Sequence, residues 1–309
     1  MNERIGKVEL DTRYYSGDNQ YSDGDETENK LMDLVSGYSE EQYPEVIARD
    51  GSWPVLYHLS PIRENILNWY PFEEGKKALE LGAGCGAVTG ALLKKGVRVT
   101  AVDLSLRRSR INATRHADAE GLRILIGAAE TVLDSINEQF DYVTLIGVLE
   151  YAGVFSGAEK PYHDLLNRIC RVMKEDGSLW VAIENQLGLK YFAGCREDHT
   201  GRLFEGIEGY PHKDGPRTFS RKELIALAAE CGFSCRFYYP YPDYKLPISI
   251  YSDDRLPREG ELIRNWQAFG GERLQLFNET RAYETIIKAG LFPDLSNSFL
   301  VEMRKKVNV

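Results

Sequence analysis

The segment LELGAGCGAVTG at 79–90 narrows the possible folds more than any other part of this chain. It follows the apolar run KKALEL (76–81), continues into AVTGALLKKG, and is succeeded by a second apolar run, VRVTAVD (97–103). An apolar run, a glycine loop, a helical pattern and another apolar run predict a strand, loop, helix and parallel strand. Gly82, Gly84 and Gly86 give the loop backbone angles that other residues avoid, and they let a ligand approach the main chain without meeting a Cβ.

The alternation continues downstream. A helix is predicted over about 105–119, a strand at RILIG (123–127), and a strand buried on both faces within FDYVTLIGVLEY (140–151). Helix HDLLNRICRVM (163–173) leads through KEDG to strand SLWVAIE (178–184), and helix SRKELIALAAECG (220–232) leads to FSCRFYYP (233–240). Upstream, Ser60 and Pro61 start a helix in SPIRENILNWY whose Ile62, Ile66 and Trp69 recur at helical spacing. SFLVEMRK (298–305) is the last strand, expected to run antiparallel. The predicted class is α/β: a doubly wound, Rossmann-like, mostly parallel sheet with an antiparallel last strand and with N-terminal and C-terminal cap insertions. Its expected divisions are an N-terminal cap (1–61), a core (62–240) with a lid insertion at about 185–219, an acceptor-side insertion (241–297), and the last strand with its tail (298–309).

Composition restricts the partners. With 309 residues and 43% hydrophobic content the chain can bury a sizeable core, and its net charge of -9 disfavours polyanions. The basic run LRRSR (106–110) is the one local argument for nucleic acid, and an outward helix face accounts for it equally. Apolar runs such as LWVAI are too short to span a membrane, and MNERIGKVEL lacks the apolar stretch of a secretory leader, so a cytoplasmic protein is expected. The odd set Cys85, Cys170, Cys195, Cys231 and Cys235 predicts free thiols. No metal site is expected: CGFSC has no second Cys/His pair, and SGDNQYSDGDE lacks the spacing of a calcium loop.

Read alone, GAGCGA followed by Asp103 also satisfies a dinucleotide-binding fingerprint, which leaves an NAD-dependent oxidoreductase open. The lesser alternatives are that Asp103 only caps the next helix and that Glu80 only pairs with a lysine. With Glu80 and the LIGVLEY strand included, the sequence resembles class I S-adenosylmethionine (SAM) dependent methyltransferases over about 62–184. ELGAGCG resembles their glycine motif, VTAVDLS their ribose-binding strand end and LIGVLEY their fourth strand. The resemblance implies that Gly82, Gly84 and Gly86 approach the methionine part of SAM, with Glu80 organising the loop around its amino group. It also implies that Asp103 accepts the ribose hydroxyls, Leu104 flanks the adenine, Ala129 and Glu130 lie by the adenine, and Ile146 and Gly147 lie near the methionine. YHLSPIRENILNWYPF, AIENQLGLKYFAGCREDHTG and YYPYPDYKLP further resemble bacterial methyltransferases associated with glycosyltransferases and surface polysaccharide assembly.

Methyl transfer from a sulfonium is an in-line displacement that depends mainly on alignment, and an alcohol acceptor gains further from a base. His199 in CREDHTG, beside Glu197 and Asp198, is the candidate base, against the alternative of a polar surface turn. Asn185 at a strand end is a candidate acceptor contact, against the alternative of closing a turn. FYYPYPDYKLP (237–247), with Tyr244 and Lys245, reads either as an acceptor wall or as a core strand, and Tyr14 and Tyr15 are candidates to close over SAM. The expected function is SAM-dependent methylation, on oxygen, of a small-molecule or sugar-containing (glycan) acceptor. A NAD-dependent oxidoreductase and a non-catalytic SAM-binding scaffold are the alternatives.

Overall fold

A computed structural model describes residues 2–17, 22–213, 215–264 and 273–306, so residues 18–21 of the acidic run SGDNQYSDGDE lie outside the described residues. Two strands open the chain, β1 (Asn2–Ile5) and β2 (Val8–Tyr14), within the stretch expected as a cap. Buried Val8 and Leu10 alternate with exposed Glu9, a period-2 pattern too short and too charged to identify a strand unaided. The predicted elements then follow as β3 (Lys77–Leu81), β4 (Arg98–Asp103), β5 (Leu122–Gly127), β6 (Phe140–Ile146) and β7 (Met173–Glu184). β8 (Phe233–Tyr241), β9 (Ser249–Ser252) and β10 (Ser298–Lys305) complete the strands.

The chain forms two compact units, Met1–Leu145 with Arg168–Ser178, and Ile146–Asn167 with Leu179–Val309. In the first, β2 pairs parallel with β5, β5 with β4, β4 with β3, and β3 with β6, while β1 pairs antiparallel with β2. Strand order therefore reverses direction at β3 and β6, and the carboxyl ends beside such a reversal are where open α/β sheets bind ligands. In the second unit β10 runs antiparallel to β8, as expected for the last strand, and β8 antiparallel to β9.

Helices Asp25–Gly37, Tyr43–Asp50 and Trp53–Leu59 of the first unit share one apolar cluster with the glycine loop: Leu31, Val35, Tyr43, Val46, Val55 and Leu59 pack with Cys85 and Ile111. Burying a side chain such as Leu31 contributes about 1.5–3 kcal/mol, so the N-terminal helices and the loop support each other. The predicted helix at 60–70 is instead a 3₁₀ turn, Pro61–Glu64, followed by one helical turn, Asn65–Asn68. Its periodicity consequently fails: Ile66 is buried, but Ile62 and Trp69 are exposed. Helix Leu106–Arg115 stops short of the predicted 119, and β7 begins at Met173, earlier than the predicted 178. Among the described residues no helix is long and apolar enough to cross a membrane.

Candidate functional site

In the first unit the site is built around the loop after β3. Gly82, Gly84 and Gly86 take φ values of +70°, +53° and +78°, the left-handed region that favours glycine. The N–H groups of Gly82 and Ala83 both donate to the carbonyl of Val102, at 2.8 and 3.1 Å, which clamps the loop to β4. Asp103, the last residue of β4, completes the clamp: Oδ2 accepts from Gly84 N–H at 2.7 Å and Oδ1 from Ser105 N–H at 2.8 Å. Ser105 in turn caps helix Leu106–Arg115 by accepting from Arg108 N–H. A Cβ at Gly84 would meet nothing within 4 Å, whereas one at Gly86 would come within 2.4 Å of Asn112 Oδ1. Gly86 is therefore demanded by packing, and Gly84 borders open space that a ligand can fill.

Beneath the loop, buried Glu80 accepts a 2.6 Å hydrogen bond from the Thr89 hydroxyl, which itself accepts from Asn112. Burial pushes the Glu80 carboxyl up to about 7, and the charge of Asp103 adds to the rise against the opposing Thr89 bond. Burial also raises Asp103 above the usual carboxylate range. His116 donates to the carbonyl of Gly86 and is pushed down to about 4, chiefly by burial. Leu104, Ala129 and Glu130 are half-buried on the segments that leave β4 and β5. An open cradle at Gly84, an acid at the end of the next strand and a buried acid under the loop suit a ligand carrying a ribose and a cationic amino group.

The LRRSR arginines are committed to acids of the N-terminal segment. Arg108 is buried and bonds Glu28 at 3.0 Å and Asp23 at 2.7 Å, and Asp23 also meets His58 at 2.8 Å. Arg107 pairs with Asp25, and Arg110 with Glu3. This run fastens the first residues of the chain to the helix after β4.

The second unit holds a buried ionic cluster. Gly147, which follows β6, turns with φ +71° and lies against Tyr244, whose hydroxyl would be 2.7 Å from a Cβ there. The short 3₁₀ turn Leu149–Tyr151 then presents Glu150, which is fully buried. Glu184 ends β7, also fully buried, and its Oε1 meets Lys245 Nζ at 2.5 Å. Lys245 bridges to Asp198 at 2.6 Å, Asp198 to Lys190 at 2.8 Å, and Lys190 to Asp243 at 2.7 Å. His199 Nε2 lies 3.3 Å from Glu184 Oε2 and 3.9 Å from Glu150 Oε1, while Nδ1 is 3.1 Å from the Tyr151 hydroxyl.

These contacts revise the expected surroundings of His199. The acids facing its ring are Glu184 and Glu150; Asp198 is committed to the two lysines, and Glu197 accepts the backbone N–H groups of His199 and Thr200. Burial alone would depress the imidazole, but Glu184 and Glu150 outweigh it and hold the ring at about 9, with Glu197 adding less. Burial raises Glu150, and the Glu184 charge adds to the rise. Glu184 itself is lowered because Lys245 and His199 overcome its burial. Facing these acids, His199 favours its protonated form more than a free histidine does.

Asn185 donates both amide hydrogens to the carbonyls of Asp294 and Ser296, at 2.8 Å each, and accepts from Leu187 N–H. It closes the turn after β7. Phe237, Tyr238, Tyr239, Tyr241 and Tyr244 are all buried, so the first half of FYYPYPDYKLP is the end of core strand β8 and the rest a turn that leaves it. Ile146 and Gly147 fall in the second unit, half-buried at the end of β6. Lys245, expected as an acceptor contact, instead pairs with Glu184 and Asp198, whereas Glu150, Glu184 and Lys190 were not singled out as site groups by sequence; for the two glutamates the available signal was an acid at or just past the end of an apolar strand, LIGVLEY and SLWVAIE.

Residues 79–181 match a family described as a methyltransferase domain. A ubiquinone biosynthesis O-methyltransferase of Stutzerimonas stutzeri (strain A1501) is 30% identical over 105 residues, 33% of this chain and 45% of that protein. Another, from Idiomarina loihiensis (strain ATCC BAA-735 / DSM 15497 / L2-TR), is 33% identical over 105 residues, 33% of this chain and 43% of that protein. The chain thus spans less than half the length of these curated relatives. A solved SAM dependent methyltransferase from Archaeoglobus fulgidus is similar in fold, with a TM-score of 0.50 at 13% identity, covering 79% of this chain and 93% of that one.

Proposed function

We propose, from the premise that residues 79–181 are a SAM-dependent methyltransferase domain, that the whole chain methylates a hydroxyl of a small-molecule or sugar-containing acceptor. The observation that carries the cofactor half is the 2.7 Å bond from Gly84 N–H to Asp103, which makes an open glycine loop and a strand-end acid one rigid cradle. SAM, when bound, supplies an electrophilic methyl on a sulfonium. Gly82, Gly84 and Gly86 receive its methionine portion, Glu80 the charge of its amino group, Asp103 the ribose hydroxyls, and Leu104, Ala129 and Glu130 the adenine. The family resemblance further implies that Ile146 and Gly147 lie near the methionine.

The acceptor oxygen forms a bond to the methyl carbon as the carbon–sulfur bond breaks, and the hydroxyl proton must leave. We assign that event to the group formed by Glu150, Glu184 and His199, with Asn185 positioning the end of β7 on which Glu184 stands. Two features favour oxygen as the acceptor atom: this buried acid and imidazole group, and the O-methyltransferase names of the similar proteins. A sugar acceptor is supported by the resemblance of YHLSPIRENILNWYPF and AIENQLGLKYFAGCREDHTG to methyltransferases associated with polysaccharide assembly.

The test is transfer of radiolabelled methyl from SAM to extract fractions separated into glycans, lipids, small metabolites, proteins and RNA, alongside calorimetry with SAM and NAD. Label in an alkali-stable glycan or small-metabolite product is expected. Tight NAD binding with no response to SAM would overturn the reading, and SAM binding without transfer to any fraction would make the chain a scaffold. His199→Ala should leave SAM affinity intact and lower turnover by ~10² or more.

A further inference from the structure

Glu150 is fully buried, yet neither of its carboxylate oxygens has a hydrogen-bond partner among the described residues. Buried carboxylates are normally paired or bound to a metal, because leaving one unsatisfied in a dry interior is unfavourable. Two further metal-ligating side chains gather beside it, an imidazole and a second carboxylate: Nε2 of His199 lies 3.9 Å from Glu150 Oε1 and 3.3 Å from Glu184 Oε2. All three ligand atoms lie within 4.8 Å of one another. Neighbouring ligands around an ion bound at ~2.1 Å are ~3.0–3.5 Å apart, so small side-chain shifts bring these three into range.

The surroundings set the orientation. When His199 Nδ1–H donates to the Tyr151 hydroxyl at 3.1 Å, the lone pair of Nε2 points between the carboxylates, as an outer-shell partner arranges for a metal-bound histidine. Lys245 takes Oε1 of Glu184, which fixes the rotation of that carboxylate and leaves Oε2 directed at the other two ligands. Lys190 and Lys245 are also held by Asp198 and Asp243, so the lysines belong largely to their own ion pairs.

We propose that Glu150, Glu184 and His199 form a binding site for one divalent cation of the Mn²⁺ type. Two carboxylate oxygens and one imidazole nitrogen suit such an ion and leave coordination positions open for water or an acceptor oxygen. A hydroxyl bound there loses its proton more readily, a role that rests on the methyltransferase reading above, whereas binding of the ion does not.

The experiment strips the full chain with EDTA, dialyses it, and titrates it with MnCl₂ while free Mn²⁺ is followed by electron paramagnetic resonance. One ion per chain is expected, displaceable by Mg²⁺ or Zn²⁺, and the pulsed spectrum of the bound ion should show coupling to a single imidazole nitrogen. Glu150→Gln and His199→Asn should each weaken Mn²⁺ binding at least about tenfold with unchanged circular dichroism. No binding of Mn²⁺, Mg²⁺ or Zn²⁺ at about 1 mM would overturn the site. So would bound Mn²⁺ without nitrogen coupling, a readout on the unmodified chain that does not depend on the variants folding. Undiminished methyl transfer by a metal-free chain that binds no Mn²⁺ sinks the cation site and leaves the methyltransferase reading. One bound ion coupled to one imidazole, with no transfer to any acceptor, does the reverse.

Discussion

The two polar centres of this chain are made in opposite ways. Around Gly84 and Asp103 the polar groups are mostly backbone N–H donors, gathered from the loop after β3 and the turn after β4, with few charges. Around His199 the polar groups are titratable side chains from Glu150, Glu184, Lys190, Asp198, Asp243 and Lys245, spread over much of the second unit. A backbone cradle is stable while empty because its donors and acceptors satisfy one another. A buried ionic cluster is stable only while its charges balance, so losing one member leaves another uncompensated.

That contrast is most exposed to failure at Lys245. Replacing it with methionine leaves Glu184 and Asp198 short of a cation, and stability should fall by about 3–5 kcal/mol in urea unfolding. A loss below about 1 kcal/mol would mean that solvent screens the cluster and the contrast is false.

Glu80, the buried acid under the cradle, should give the next largest effect, read as a pH dependence. Its carboxyl is raised from 4.5 to about 7, so the folded state holds a proton that the unfolded chain releases earlier. The ligand-free protein should therefore lose stability as pH rises across that window, by up to about 3 kcal/mol. Glu80→Gln keeps an acceptor for Thr89 and should flatten that part of the profile; an unchanged profile would assign the dependence to other groups.

Asp103→Ala addresses the cradle itself. Removing a charged acceptor from two N–H donors and from the proposed ribose contact should weaken SAM binding at least about tenfold by calorimetry. Near-normal affinity in a folded variant would leave Asp103 as a loop clamp only. The smallest change is a control: Ser220 caps helix Arg221–Glu230 in a capping box with Glu223, and Ser220→Ala should lower stability by about 1 kcal/mol. SAM affinity should not move, and a shift there would show that general destabilisation reaches the cradle.

The amino-acid sequence by itself determined the strand–loop–helix–strand unit, the alternating elements after it, and the loop glycines with Asp103. These are local matters. Glycine spacing, apolar runs and caps act over a few residues, and β3, β4, β5 and β6 appear where their apolar runs predict them. Tertiary structure alone decided the rest. Val8 and Leu10 became strand residues because β5 offered an edge, and Phe237 and Tyr238 became core because β10 pairs with them. The partners of His199 were decided in the same way: its adjacent acids in CREDHTG turned out to serve the backbone and the lysines, while Glu150 and Glu184 arrived from distant strand ends. Charge pairing in a dry interior acts between groups that folding brings within a few ångströms, and spacing along the chain carries no record of that distance.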